Sequence, residues 1–338
     1  MGTMTMAQAL NTALRDALRE DERVLAFGED VGRLGGVFRV TDGLRAEFGE
    51  RRCFDTPLAE SGLVGYAVGL AMGGFRPVVE LQFDAFAYPA FEQIASHVAK
   101  MRNRTRGRVG LPMVIRVPYG GGIGGVEHHS DSSEAYYAHT PGLKVFTPAT
   151  VEDAYWLLRD AVHDPDPVVL LEPKRLYWSK ESAELDVRGA ALAGRAVVRR
   201  PGRDVTLVAY GTAVAVALDT AQEAAREGID IEVVDLRTLV PFDDETVAAS
   251  VRRTGRCVVV QEAQGFASAG AEIAARVQER CFHSLAAPVL RVAGFDIPYP
   301  PPRLEHAYLP GVDRVLDAVH RLQYDDEPDT RHLAREAS

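Results

Sequence analysis

Cysteine is scarce in this chain and nowhere paired in sequence. Cys53, Cys257 and Cys281 are the only three, and no two form a C-x-x-C motif. An odd, scattered set supports no disulfide framework and fits reduced thiols in a cytoplasmic protein. Long apolar runs are missing as well: the longest, LVGYAVGLAMGGF, is too short and too rich in glycine to span a bilayer. The opening MGTMTMAQAL has neither a basic region nor a long apolar core, and Met6 stands where a myristoylation signal wants Ser or Thr. Neither a signal peptide nor a membrane anchor is therefore expected. Positive charge is in deficit, with 38 Lys and Arg against 48 Asp and Glu and a formal charge of −10. Such a balance disfavours nucleic-acid binding, which relies on clustered cations. One basic run, Lys100, Arg102, Arg104, Arg106 and Arg108, reads as a solvated helix end or an interface.

What is present is the composition of a globular protein, 46% hydrophobic and 25% charged over 338 residues, enough for two cores. Short β-rich runs (RVLAFGE, RPVVELQF, LPMVIRV, LKVFTP, PVVLLEP) alternate with helical patterns over 4–20, 57–73, 87–103 and 151–163. That alternation predicts a parallel sheet covered on both faces. The pattern lapses over 179–203 and then restarts with DVTLVAYG, IDIEVVDLRT, RCVVVQEA and PVLRVAG, separated by helices near 213–227, 243–253 and 269–281. The expected organisation is α/β in two domains, 1–180 and 204–325, joined by a linker at 181–203 and followed by a polar tail at 326–338.

Several stretches carry candidate chemistry. GGGIGG at 120–125 formally matches G-x-G-x-x-G, but no long helix follows. It reads as a backbone loop approaching some ligand rather than a dinucleotide fingerprint. Glu127, His128, His129 and Asp131 lack a metal-ligand spacing, and a histidine beside such a loop suits proton transfer or contact with an anion. HDPDPVVLLEP sets Asp164 and Asp166 between prolines, which reads as turn chemistry or as a hard-cation site. In CFDTPLAESGLVGYAVGLAMGG, Thr56-Pro57 predicts a helix start, yet Ala59 occupies the capping-box position and Glu60 follows one residue late. Gly62, Gly65, Gly69 and Gly73 form a bare stripe at helical spacing, costing about 1 kcal/mol each relative to alanine. The stripe implies close packing on a partner helix across a subunit contact, with Glu60 at the mouth of a pocket.

Taken together, GEDVGRLGGVFRVTDGL, RRCFDTPLAESGLVGYAVGLAMGGFRPVVELQF, HHSDSSEAYYAHTPGLKVFTP, DPVVLLEPKRLY and VVDLRTLVPFD resemble the beta subunit of the decarboxylating component of 2-oxoacid dehydrogenase complexes. The resemblance runs from about residue 4 to 320. It implies a thiamine-diphosphate pyrimidine-binding domain followed by a transketolase C-terminal-like domain. It also implies a heterotetramer of two alpha and two beta chains with cofactor sites at alpha–beta contacts. By motif, Glu60 matches the glutamate that hydrogen-bonds N1′ of the aminopyrimidine, where a low-dielectric pocket raises a carboxyl pKa. Gln82 and Phe86 should line the pyrimidine pocket, with Leu58 and Glu29 nearby. His129 matches an active-site histidine that contacts substrate or the lipoyl group. Relatives often carry Tyr at the position of Phe86, Gln at that of Asp131 and Asn at that of Asp166. The resemblance further implies a potassium site formed by backbone oxygens of Met113, Ala161 and Val162 with Asp164 and Asp166.

The G-D-G motif by which such enzymes anchor diphosphate and Mg²⁺ is absent. The resemblance therefore implies that this chain supplies the pyrimidine half of each site and the alpha chain the diphosphate and Mg²⁺ half. The motifs look closer to the branched-chain 2-oxoacid type than to the pyruvate type, with acyl transfer to a lipoyl acyltransferase component. A pyruvate dehydrogenase beta subunit and a non-catalytic α/β scaffold are the alternatives.

Overall fold

The computed structural model describes residues 2–183, 185 and 192–324. The expected tail at 326–338 lies outside the described residues. In chain order the strands are β1 (Gly2–Thr5), β2 (Val24–Gly28), β3 (Cys53–Asp55), β4 (Arg76–Glu80), β5 (Val114–Tyr119), β6 (Lys144–Phe146), β7 (Val168–Pro173), β8 (Lys180–Ala183), β9 (Val197–Arg200), β10 (Val205–Ala209), β11 (Ile231–Asp235), β12 (Thr238–Val240), β13 (Cys257–Gln264) and β14 (Leu290–Gly294). They form a seven-stranded sheet of order β12-β6-β7-β5-β4-β2-β3, a five-stranded sheet of order β14-β13-β10-β11-β9, and the antiparallel pair β1-β8. All pairings in the large sheet are parallel except β12 with β6, and β9 is the antiparallel edge of the smaller one.

Both faces of the large sheet are buried, as near-continuous apolar strands require. Leu25, Phe27, Val79, Ile115 and Val117 face a core closed by the helix Glu60–Met72 through Leu63, Val64 and Ala67. Val24, Ala26, Val78 and Val114 face the opposite core, closed by the helices Met6–Glu20 and Val151–His163. Both of those helices begin on threonine caps. Thr5 and Gln8 form a full capping box, and Thr150 accepts from the Asp153 N–H.

Three expectations change. The segment 181–203 holds β8, paired with β1, and β9, which closes the second sheet. IDIEVVDLRT is two strands rather than one: β11 ends at Asp235, Arg237 turns with φ +60°, and β12 crosses to pair with β6 of the first sheet. The two units thus share a strand, a pairing that no local pattern announces. The helix expected over 87–103 is segmented, with Tyr88–Gln93 followed by a π turn at Ile94–Val98 closed by Ala99 N–H on Ile94 O at 2.9 Å, then Met101–Arg104. The basic run at its end is used locally: Arg102 pairs with Asp166, and Arg104 donates to Ser96 O at 2.7 Å.

A buried charge cluster ties the central strands. Arg116 on β5 donates to Glu172 of β7 at 2.7 and 2.8 Å and to Glu80 of β4 at 2.5 Å, and Tyr177 Oη donates to Glu172 at 2.6 Å. Burial raises the Glu80 carboxyl, while the two carboxylates hold the guanidinium protonated. Removing one member of such a cluster strands the others without water. Arg116→Leu should therefore cost about 3–5 kcal/mol, read as a lower denaturation midpoint in urea.

Candidate functional site

The chemistry gathers at the carboxyl ends of the parallel strands, where open α/β sheets place their ligands. Glu29 directly follows β2, Gln82 follows β4, the glycine loop at 120–125 follows β5, and Lys174 follows β7. Glu60 is the first residue of its helix, but the start differs from the expected Thr56-Pro57. Thr56 N–H still bonds Gly28 O at 3.0 Å, so the chain remains extended there and the N-cap falls on Ala59. Glu60 consequently sits half-buried at the N-terminal end of the helix, where its charge suits the dipole.

Glu29 and Glu60 face one another. Burial raises the Glu29 carboxyl, the charges of Glu60 and then Asp30 raise it further, and a backbone hydrogen bond from Ala59 acts in the opposite sense. Glu29 Oε1 is buried without a hydrogen-bond partner. Gln82 Nε2 donates to Glu29 O at 3.3 Å and to Asp30 Oδ2 at 2.9 Å, which brings Glu29, Glu60 and Gln82 together. Phe86 and His129 form a neighbouring pair. The His129 ring meets Phe83 and Phe86 edge-on, with centroids 4.6 and 5.3 Å away. His129 ends a short 3-10 turn (Glu127–His129), and Asp131 accepts from Tyr88 Oη at 2.7 Å. Leu58 is 80% exposed and lines no wall within this chain.

Two carboxyl groups, one amide and one aromatic ring fit the aminopyrimidine that the resemblance implies, because its exocyclic amine donates, its ring nitrogens accept and its face is apolar. The unpartnered buried oxygen of Glu29 is the observation that favours such a guest, since buried acceptors normally find a donor. The glycine stripe is equally suggestive. A methyl added at Gly69 would meet nothing within 4 Å, and one at Gly65 would meet only Gln93 Oε1 at 3.7 Å. The helix Tyr88–Gln93 packs on Glu60–Met72 and reaches Gly65 through Gln93, while Gly69 is left uncovered among the described residues.

The aspartate loop is arranged differently from an open oxygen cage. Lys144 Nζ contacts both oxygens of Asp164, at 2.6 and 2.7 Å, and Arg102 pairs with Asp166. Val162 O accepts from Arg76 at 2.8 Å, Met113 O from Val168 N–H at 3.0 Å and Ala161 O from Asp164 N–H at 3.3 Å. A potassium ion would have to share both aspartates with side-chain cations, whose like charge opposes it.

Other groups of the site were not singled out by the sequence. Lys174 is buried with no hydrogen-bond partner on Nζ, which lies 5.7 Å from the Phe83 ring centre. Burial lowers its pKa to about 8 against the attraction of Asp84, Glu262 and Asp131. Its only signal was a lysine directly ending the apolar run PVVLLEP. Asp84 accepts from Ser133 N–H at 2.7 Å and from Ser133 Oγ at 2.5 Å, and burial raises it to about 6. Glu134 accepts from Tyr210 Oη of the second unit at 2.6 Å.

Residues 2–179 match the model "Transketolase, pyrimidine binding domain" and residues 194–315 match "Transketolase, C-terminal domain". Among solved structures, a split-gene transketolase in an inactive beta4 tetramer superposes with a TM-score of 0.78 at 26% identity, covering 95% of this chain and 98% of that one. Fold and site thus define a protein of the transketolase-like, thiamine-diphosphate pyrimidine-binding class. A 3-methyl-2-oxobutanoate dehydrogenase subunit beta of Mycobacterium tuberculosis is 57% identical, covering 95% of this chain and 92% of the relative. A pyruvate dehydrogenase E1 component subunit beta of Leifsonia xyli is 54% identical (94% of each chain), and one of Bacillus subtilis is 47% identical (95% and 99%). The chain belongs to the family of 2-oxoacid dehydrogenase beta subunits.

Glu134 offers a measurable consequence. Burial raises its carboxyl from 4.5 to about 7, so the folded state holds a proton that the unfolded chain has released. Its stabilising contribution is full below pH 4.5 and is lost as pH rises through 7. The neutral variant Glu134→Gln removes that loss. Its stability relative to the parent should improve between pH 5 and pH 8 by up to about 3 kcal/mol, measured by urea unfolding at the two pH values.

Proposed function

We propose that this chain, joined to an alpha subunit in a two-alpha, two-beta heterotetramer, decarboxylates a branched-chain 2-oxoacid on thiamine diphosphate. The acyl group then passes to the lipoyl arm of an acyltransferase component. The observation that carries the reading is the 57% identity to a 3-methyl-2-oxobutanoate dehydrogenase beta subunit across nearly the whole of both chains. The convergence of Glu29, Glu60 and Gln82 at the strand ends supports it. The 54% identity to a pyruvate-type subunit favours pyruvate as the second reading.

Bound at the subunit contact, thiamine diphosphate supplies the electron sink for loss of CO2. In this chain, Glu60 holds the proton at the ring nitrogen of the aminopyrimidine, and Glu29 behind it disfavours a second negative charge in the same pocket. Gln82 and Phe86 would hold the aminopyrimidine with Glu60, and the exposed Leu58 would meet the cofactor or the alpha chain. His129 sits beside Phe86 to take up or deliver a proton during substrate binding or acyl transfer. The diphosphate and Mg²⁺ belong to the alpha chain, since no G-D-G motif is present. Potassium enters no step.

In the reconstituted alpha–beta pair, kcat/KM for 3-methyl-2-oxobutanoate should exceed that for pyruvate by about tenfold or more, since each pocket methylene contributes about 1–3 kcal/mol. A preference for pyruvate would select the second reading. Glu60→Gln should lower decarboxylation about 10²- to 10⁴-fold with assembly intact by size-exclusion chromatography. Unchanged turnover would instead mark the chain as a scaffold. The purified chain alone should show no turnover.

A further inference from the structure

The glycine loop at 120–125 follows a strand as a phosphate-binding loop does, yet the N–H groups of Gly121, Gly122 and Gly124 are taken by side chains of the second unit. Gly121 N–H bonds Glu262 Oε1. Gly122 N–H bonds Glu305 Oε1 at 2.8 Å and Tyr299 Oη at 3.1 Å, and Gly124 N–H bonds Glu305 Oε2 at 3.2 Å. Tyr299 Oη in turn donates to Glu305 Oε1 at 2.6 Å, and Thr212 Oγ1 donates to Glu262 at 2.6 Å. Two buried carboxylates therefore sit where an anionic ligand would, which leaves the loop no phosphate to bind.

The same loop carries His129. Gly120 N–H bonds Asp131 O at 2.7 Å, closing residues 120–131 into one loop with His129 near its end. A methyl on Gly125 would lie 3.2 Å from His129 Cβ, so the glycine at 125 leaves room for the histidine beside the loop. Gly121 admits no side chain because Tyr299 Oη occupies the space, and Gly122 is closed off by Arg175 Cδ. At Gly120, Gly122 and Gly124 the positive φ values (+80°, +82° and +69°) favour glycine over any residue with a Cβ.

We infer that Glu305 and Tyr299 are positioning residues for His129: the second unit clasps the glycine loop and thereby sets where the histidine stands. The claim rests on the proposed role of His129 and extends it to residues far along the chain, in the second unit. Small displacements of a reacting group cost large factors in rate, up to about 10² for 1 Å.

The test is a double-mutant cycle in the reconstituted alpha–beta pair, with hydrogen exchange as a second readout. Glu305→Gln and the milder Tyr299→Phe should each lower kcat/KM about tenfold in the parent background. On top of His129→Ala each should cost less than about twofold, because there is no histidine left to position. Amides of 120–131 should exchange at least about tenfold faster in both variants, with those of β10 and β11 unchanged. Losses that add fully to those of His129→Ala, or unchanged exchange in the loop, would overturn the clasp. Full turnover by His129→Ala would sink the role given to His129 and overturn the positioning claim with it. Additive losses in a His129→Ala enzyme that is itself impaired would overturn the positioning claim alone.

Discussion

The guanidinium of Arg116 lies between Glu80 and Glu172 in the middle of the seven-stranded sheet, and the geometry of the site depends on that arrangement. Glu80 stands opposite Arg116 in the register of β4 and β5, and Arg116 reaches across to β7. Charges this deeply buried tolerate only paired arrangements, so sliding any of the three strands would strand an ion. Gln82, the glycine loop and Lys174 all leave the sheet within a few residues of these three positions. Fixing the register of the strands therefore fixes the points from which the site is built.

Around that centre the chain holds more acid than it can neutralise alone. Glu29 faces Glu60, Asp84 lies near Asp131, and Lys174 is set among acids that it does not touch. A site assembled from one chain would normally satisfy such groups, because unpaired buried polar atoms cost more than hydrogen bonds return. Glu29 Oε1 and the uncovered Gly69 of the helix Glu60–Met72 point the same way. Both mark places that the described residues of this chain leave unfilled.

The two units depend on each other through more than a linker. β12 leaves the second unit to pair with β6, Tyr210 reaches Glu134, and Glu262 and Glu305 hold the glycine loop. The smaller domain is thus a structural part of the site of the larger one, although it contributes none of the groups assigned to the pyrimidine.

Sequence by itself determined the alternation of strands and helices and the two-unit α/β plan, and its motifs nominated Glu60, Gln82, Phe86 and His129. These follow from periodicity, turn chemistry and long contiguous motifs, all of which are local properties. Helix Val151–His163 begins and ends where its pattern says because Thr150 caps it and its apolar face is continuous. Local rules failed where distant contacts outweighed them. Thr56 joins the strand ladder through Gly28 instead of capping a helix, and IDIEVVDLRT divides between two sheets. Distant partners also meet the aspartate loop, through Lys144 and Arg102, and the GGGIGG loop, through Glu262 and Glu305. Only tertiary structure could decide these, because each depends on partners tens to nearly two hundred residues away. Hydrogen-bonding capacity and charge are written in the sequence, whereas the identity of the group that meets them is set by the fold.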